Sequence, residues 1–190
     1  AGTMGNGIAH VFAQYGYDVT LNDIKQEFLD KGLATITSNL DRQVKKAVLT
    51  EDSKQATLAR IKSSTDLASA ASNADIIIEA ATENQKIKNE IFKTIDSAAK
   101  PHAILATNTS SISITEIAAV TNRPDKVIGM HFMNPVPVMK LIEVIRGLAT
   151  SNETYAAVKA LSEKLEKVPV EVNDYPGFVS NRVLMPMINE

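Results

Sequence analysis

Cysteine and tryptophan are absent from the 190 residues, and histidine occurs only three times. Without cysteine there is no disulfide and no thiolate to bind zinc or an iron–sulfur cluster. Aromatic residues make up 5% of the chain, and no apolar run approaches the roughly 18 residues that cross a bilayer. No stretch reads as a targeting segment. An excess of one charge is missing as well: 20 Lys and Arg stand against 22 Asp and Glu, for a net charge of −2. Phosphate backbones are bound by clustered cations, and no basic block or stripe exists here, which argues against a nucleic-acid partner. No pair of His or acidic residues has metal-ligand spacing, so no metal is expected. Together these absences point to a cytoplasmic protein that binds neither membrane nor nucleic acid.

What is present is ordinary for a globular domain: 44% hydrophobic and 22% charged residues. The length suits one well-packed domain and the start of a second. Strand-like and helix-like stretches alternate. Helical spacing is read over residues 8–15, 27–49, 52–59 and 84–98. A capping box at Ser113–Glu116 opens a further helix, and another at Thr150–Glu153 opens one running to 165. Strands are read at 17–23, 61–64, 74–80, 103–107, 127–132, 139–146 and 168–172. The continuous apolar run ADIIIEA suits a parallel strand covered on both faces. This alternation predicts an α/β fold, a Rossmann-type doubly wound, mostly parallel sheet with a helical excursion. A Pro-Gly turn after Asp174 sets a boundary, giving residues 1–174 as one domain and 175–190 as the start of an all-α second one. The first residue is not Met, and the last lie inside a helical pattern. The chain is therefore expected to be a piece of a longer one.

AGTMGNG opens the sequence. Gly2 and Gly5 fit the last two glycines of G-x-G-x-x-G, with Thr3 and Met4 between them. In that motif the second glycine admits a pyrophosphate to the backbone, and the third allows close helix–sheet packing. The helix N-terminus offers its N–H groups to the phosphates. A plain tight turn explains a partial pattern equally well. Asp23 strengthens the nucleotide reading. It follows Gly2 by 21 residues, near the offset of about 20 for the acid that binds the adenosine ribose. Its carboxylate would repel a 2′-phosphate, so NAD is favoured over NADP, although Lys25 sits close by. A helix N-cap is the competing role for Asp23.

His131 ends the apolar strand VIGMHF and precedes the Pro-rich turn NPVP. Open α/β sheets bind ligands at the C-terminal ends of their strands, and imidazole suits proton transfer near neutral pH. A satisfied core histidine is the alternative. His10, on the opening helix, and His102, in a turn, carry no such signal.

Five stretches, AGTMGNGIA, ADIIIEAATEN, ATNTSSISITEIA, RPDKVIGMHFMNPVPVMKLIEVIRG and PGFVSNRVLMPMINE, run through the whole chain. In this order the sequence resembles the L-3-hydroxyacyl-CoA dehydrogenase family, in particular its bacterial 3-hydroxybutyryl-CoA members. Relative to that family the first strand, the first glycine and the C-terminal helical domain are not in the sequence, and Met133 stands where Phe is common.

The resemblance implies an NAD-dependent oxidoreductase that interconverts L-3-hydroxyacyl-CoA and 3-ketoacyl-CoA. It assigns His131 as general base, oriented by Glu143 across neighbouring strands. It implies that Ser110 bonds the substrate oxygen, that Asn134 lies near substrate and dyad, and that Asn181 contacts the acyl group. Asn108 is expected beside the cofactor, with Glu83 and Lys88 near the nicotinamide ribose. Asn39, Lys45 and Lys46 are candidates for CoA contact, against a plain solvated helix face. Ser113 reads as a helix cap, and capping is the competing role for Ser111. The implied partners are an acyl-CoA substrate and, in the full-length protein, a second copy in a homodimer. Two alternatives stay open: a sugar-acid dehydrogenase sharing the His–Glu pair, and a nucleotide-binding module without turnover.

Overall fold

The structure, a computed structural model, describes residues 1–190. The chain folds as two compact units, one of Ala1–Ala70 with Asn134–Met139, the other of Ala71–Met133 with Lys140–Glu190.

The first unit holds α1 (Thr3–Gln14), β1 (Val19–Asn22), α2 (Gln26–Lys45), α3 (Glu51–Ala59) and β2 (Ile61–Ser64). Strands β1 and β2 pair in parallel, Val19 with Ile61 through to Asn22 with Ser64. The apolar stripe of α2 makes the core. Leu29, Ile36 and Leu40 recur at helical spacing, are fully buried, and pack with Ala9 and Leu21. The segment Asn134–Met139 belongs here too. A Cβ on Gly7 of α1 would stand 3.0 Å from Cβ of Val136, so only glycine admits this contact without a shift.

The short helix α4 (Leu67–Ser72) follows in sequence. The second unit then contains β3 (Ile76–Glu79), α5 (Gln85–Ala98), β4 (Ile104–Thr107), α6 (Ile114–Ala118), β5 (Val127–Phe132), β6 (Leu141–Arg146), α7 (Asn152–Lys164), β7 (Val168–Asn173) and α8 (Ser180–Asn189). Its five strands lie in the order β3-β4-β5-β6-β7. All neighbours are parallel except β5 and β6, which pair antiparallel. A helical crossover separates each parallel pair, whereas β5 and β6 are joined by a short helix-free connection, and a connection that short returns the chain antiparallel. Every residue of β5 is buried, as expected of a strand covered on both faces.

Helix ends differ from expectation for identifiable reasons. Helix α2 stops at Lys45, not near 49, because Ala47 takes a φ of 55° and Val48 N–H turns back to the Gln43 carbonyl at 3.0 Å. Glu166 ends α7 the same way, with Lys167 N–H bonded to the Ser162 carbonyl at 3.0 Å. Both are left-handed C-terminal caps built without glycine. Helix α1 begins at Thr3, two residues before the opening near Gly5 that the sequence suggests. Helix α8 begins at Ser180, after a turn in which Gly177 (φ 78°) and Phe178 (φ 50°) are left-handed. Strand β1 stops one residue short of Asp23. The second capping box is displaced by one residue. Ser151, not Thr150, caps α7, accepting from Thr154 N–H at 3.1 Å. The Thr150 hydroxyl instead donates to the Val127 carbonyl at 2.7 Å and accepts from Gly147 N–H, tying the end of β6 to β5.

Candidate active site

In the second unit, antiparallel register sets His131 of β5 directly opposite Glu143 of β6. Facing residues of such a pair point to the same side of the sheet, and both are buried, 6% and 2% exposed. His131 Nδ1 and Glu143 Oε2 are 2.8 Å apart. Glu143 Oε1 accepts the backbone N–H groups of Val179 (3.1 Å) and Ser180 (2.8 Å), at the start of α8. Burial pushes the Glu143 carboxyl up, but the hydrogen bonds from His131 and from Ser180 outweigh it and hold the group below the usual carboxylate range. An ionised Glu143 accepts from Nδ1–H, which leaves Nε2 as the acceptor nitrogen. The Ser110 hydroxyl lies 3.2 Å from that Nε2.

Ser110 is held on two further sides. Its N–H donates to Glu83 Oε1 at 2.7 Å, and its carbonyl accepts from the Asn181 amide at 3.1 Å. Glu83 also accepts the Thr109 hydroxyl at 2.7 Å. The Asn108 side-chain oxygen accepts Phe132 N–H at 2.8 Å, bracing the ends of β4 and β5 together. His131, Glu143, Ser110, Asn108, Glu83 and Asn181 thus form one connected cluster at the C-terminal ends of β4 and β5.

Lys88 sits deeper. It is 1% exposed, and its ammonium donates to both oxygens of Glu79, each at 2.9 Å. Its distance to Glu83 is 3.9 Å. Glu79 in turn accepts the Thr107 hydroxyl (2.7 Å) and Ala81 N–H (2.6 Å). Glu79 is not among the residues expected from the sequence, although a signal is there. It is the one charge at the end of the apolar run ADIII, and a charge buried in such a run needs a partner. Phe178 is a second addition. It is 2% exposed, and its ring lies 6.0 Å from the His131 ring, tilted by 57°. Ser113 caps α6 as expected, accepting from Glu116 N–H. Ser111 caps nothing: its N–H leans on the Thr109 hydroxyl at 3.4 Å. Asp174 does more of the capping, accepting from the Ser113 and Thr115 hydroxyls and from Ile114 and Thr115 N–H.

The first unit holds the remaining candidates. Gly2 stands at the N-cap of α1 with no side-chain cap, so its first-turn N–H groups are left for an outside acceptor. A Cβ at Gly2 would meet nothing within 4 Å, which leaves room for a phosphate to approach the backbone of Gly2, Thr3 and Met4. A Cβ at Gly5 also meets nothing within 4 Å, and a tight contact falls at Gly7. The Asp23 carboxylate accepts from Ile24 N–H at 2.8 Å. Asn39 is half-buried on α2, and Lys45 and Lys46 are exposed at its end. Asn134 is exposed, and its bond to Pro135 is cis.

A helix N-terminus opening on glycines, an acid at the end of the following strand and a largely parallel sheet define the class: a Rossmann-type nucleotide-binding domain. Residues 1–175 match the family model described as the NAD-binding domain of 3-hydroxyacyl-CoA dehydrogenase. A probable 3-hydroxybutyryl-CoA dehydrogenase of Bacillus subtilis is 57% identical over the whole chain, which covers 66% of that protein. The human mitochondrial hydroxyacyl-coenzyme A dehydrogenase is 45% identical, with 62% of its length covered. The crystal structure of the (S)-3-hydroxybutyryl-CoA dehydrogenase from Ralstonia eutropha superposes with a TM-score of 0.96 at 56% identity, covering 99% of this chain and 66% of that one. The chain belongs to the 3-hydroxyacyl-CoA dehydrogenase family. It spans about two thirds of the length of these relatives.

Proposed function

We propose that the chain is the cofactor-binding and proton-transfer part of an enzyme that interconverts L-3-hydroxyacyl-CoA and 3-ketoacyl-CoA with NAD, with 3-hydroxybutyryl-CoA and acetoacetyl-CoA as the favoured pair. The observation that carries the reading is the unbroken line from Ser110 through His131 to Glu143, with Glu143 backed by two N–H groups. Residues 1–174 are the NAD-binding domain in this reading, and 175–190 begin the helical one. The full-length protein is a cytoplasmic homodimer.

NAD, when bound, supplies the acceptor for the hydride that leaves C3 of the substrate. Gly2, Thr3, Met4, Gly5 and Asp23 would hold its phosphates and adenosine ribose; Glu83 and Asn108 would meet its nicotinamide end. Lys88, sealed on Glu79, acts there through Glu83. His131 Nε2 takes the proton of the C3 hydroxyl as the hydride departs. Glu143 keeps the ring in the tautomer that leaves Nε2 free and stabilises the imidazolium that results. Ser110 donates to the substrate oxygen while charge develops on it, with Asn181 beside the acyl group, and Asn134 is a candidate substrate contact. In the reverse direction the imidazolium returns the proton to the ketone oxygen.

The test follows NADH loss with acetoacetyl-CoA. It uses the chain as it stands and a version extended with the flanking sequence of the Bacillus subtilis relative. The expected result is rapid turnover by the extended protein and a loss of at least about a hundredfold in His131→Ala, with NADH binding retained. An active parent with an unimpaired His131→Ala would return the residue to a core role. A parent that binds NADH and turns over no acyl-CoA would sink the reading.

A further inference from the structure

The dyad is covered by a turn that the proton transfer, as described, does not use. Residues Pro176–Ser180 lead from β7 into α8. Gly177 has a φ of 78° and Phe178 a φ of 50°. For a bulky aromatic residue a left-handed backbone is an outlier, kept only when the surroundings over-determine it. Here two contacts do so. The Phe178 ring is buried against the His131 imidazole at 6.0 Å. The two N–H groups that follow it, of Val179 and Ser180, both point at Glu143 Oε1. One residue further on, the Asn181 amide holds the carbonyl of Ser110. The three members of the proton path are therefore each touched by one short segment.

We infer that Phe178 is a positioning residue for the reaction: its ring fixes the plane of the His131 imidazole, and its left-handed backbone aims the next two N–H groups at Glu143. The inference rests on the functional reading above. Its physical basis is independent of substrate. A histidine held only through its two nitrogens, here by Glu143 and Ser110, keeps freedom to tilt about the line between them. A ring packed beside it, 6.0 Å away and tilted by 57°, restricts that freedom, and a carboxylate fixed by two N–H donors gives it one place to bond. Orientation of this kind affects the rate of the chemical step more than the binding of either substrate. A left-handed φ at Phe178 also explains why α8 starts at Ser180: the turn must finish before the helix can present its first N–H groups.

The experiment compares the parent with Phe178→Ala and Phe178→Leu, reading out both kinetics and the nitrogen NMR shifts of the His131 ring, assigned against His131→Ala. The parent is expected to show a single Nδ1–H tautomer. Phe178→Ala is expected to lose it, with kcat falling about tenfold or more and both KM values changing less than about threefold. Phe178→Leu keeps an apolar plug and is expected to recover part of both signals. It also serves alone if the alanine variant does not fold. A folded variant, Ala or Leu, that keeps the parent's tautomer and kcat would overturn the inference. An inactive parent whose tautomer is nonetheless lost in Phe178→Ala would sink the functional reading and leave the positioning of the ring standing.

Discussion

Two buried pairs of hydrogen-bonded side chains are anchored on the same sheet. Glu79, at the end of β3, meets Lys88 of α5; Glu143, in β6, meets His131 of β5. Both pairs are almost fully out of water, with side chains 1% and 2% exposed in the first and 8% and 2% in the second. They differ in what is left over. Lys88 has only donors, and Glu79 spends both oxygens on it while also accepting Thr107 and Ala81. That pair is closed. His131 bonds through one nitrogen and keeps the other as an acceptor facing the Ser110 hydroxyl. A buried pair can do proton chemistry only when one partner has a second, unspent site, and imidazole has one where ammonium has none.

Breaking the open pair is expected to give the largest effect, and the effect should be on rate. In Glu143→Gln the amide would donate to Nδ1 and force the wrong tautomer, and kcat is expected to fall by about 10³- to 10⁴-fold with the fold retained. Steady-state kinetics beside a circular dichroism melt would show both. Breaking the closed pair should act mainly on stability. Lys88→Met strands a buried carboxylate and is expected to cost about 3–5 kcal/mol in urea unfolding, whereas Lys88→Met with Glu79→Leu should recover most of it. If the single change altered kcat without altering stability, the contrast between the two pairs would collapse.

A third pair sharpens the contrast at its acid edge. Burial pushes the Asp96 carboxyl up, but hydrogen bonds from Asn122 and Arg123 outweigh it and hold the group below the usual carboxylate range. A depressed carboxyl adds stability that is present above the unfolded value and is lost as pH falls through the folded one. Asp96→Asn should therefore flatten the decline in stability below about pH 4 and cost about 1–3 kcal/mol at neutral pH. Chemical denaturation across pH would test the sign. The smallest effect belongs to the exposed Lys93–Glu90 pair: Lys93→Ala should change stability by less than about 0.5 kcal/mol.

Much of this is legible in the residues. The strand VIGMHF reads at its full length, since six apolar or near-apolar residues bounded by turn signals leave little freedom. Helix α4 does not, because LASAAS has no apolar period to read. The site residues are reached through resemblance, whereas their mutual geometry comes from strand register, which spacing alone does not give. Asn181 shows the difference. The resemblance implies an acyl contact for it, and the structure has its amide on the Ser110 backbone. Phe178 carries no readable signal, because an aromatic residue after Pro-Gly announces neither a left-handed φ nor a histidine beneath it.

The hairpin that carries the dyad has a consequence for the order in which the site assembles. His131 and Glu143 are 12 positions apart, whereas Ser180 is 37 from Glu143, and Asn181 is 71 from Ser110. Closing a short loop costs less entropy than closing a long one, and short-range contacts form sooner. During synthesis the imidazole can meet its carboxylate once Arg146 has emerged, while the turn that covers them waits for Ser180. The His131–Glu143 contact is thus expected among the early native contacts of the chain, and its cover among the late ones.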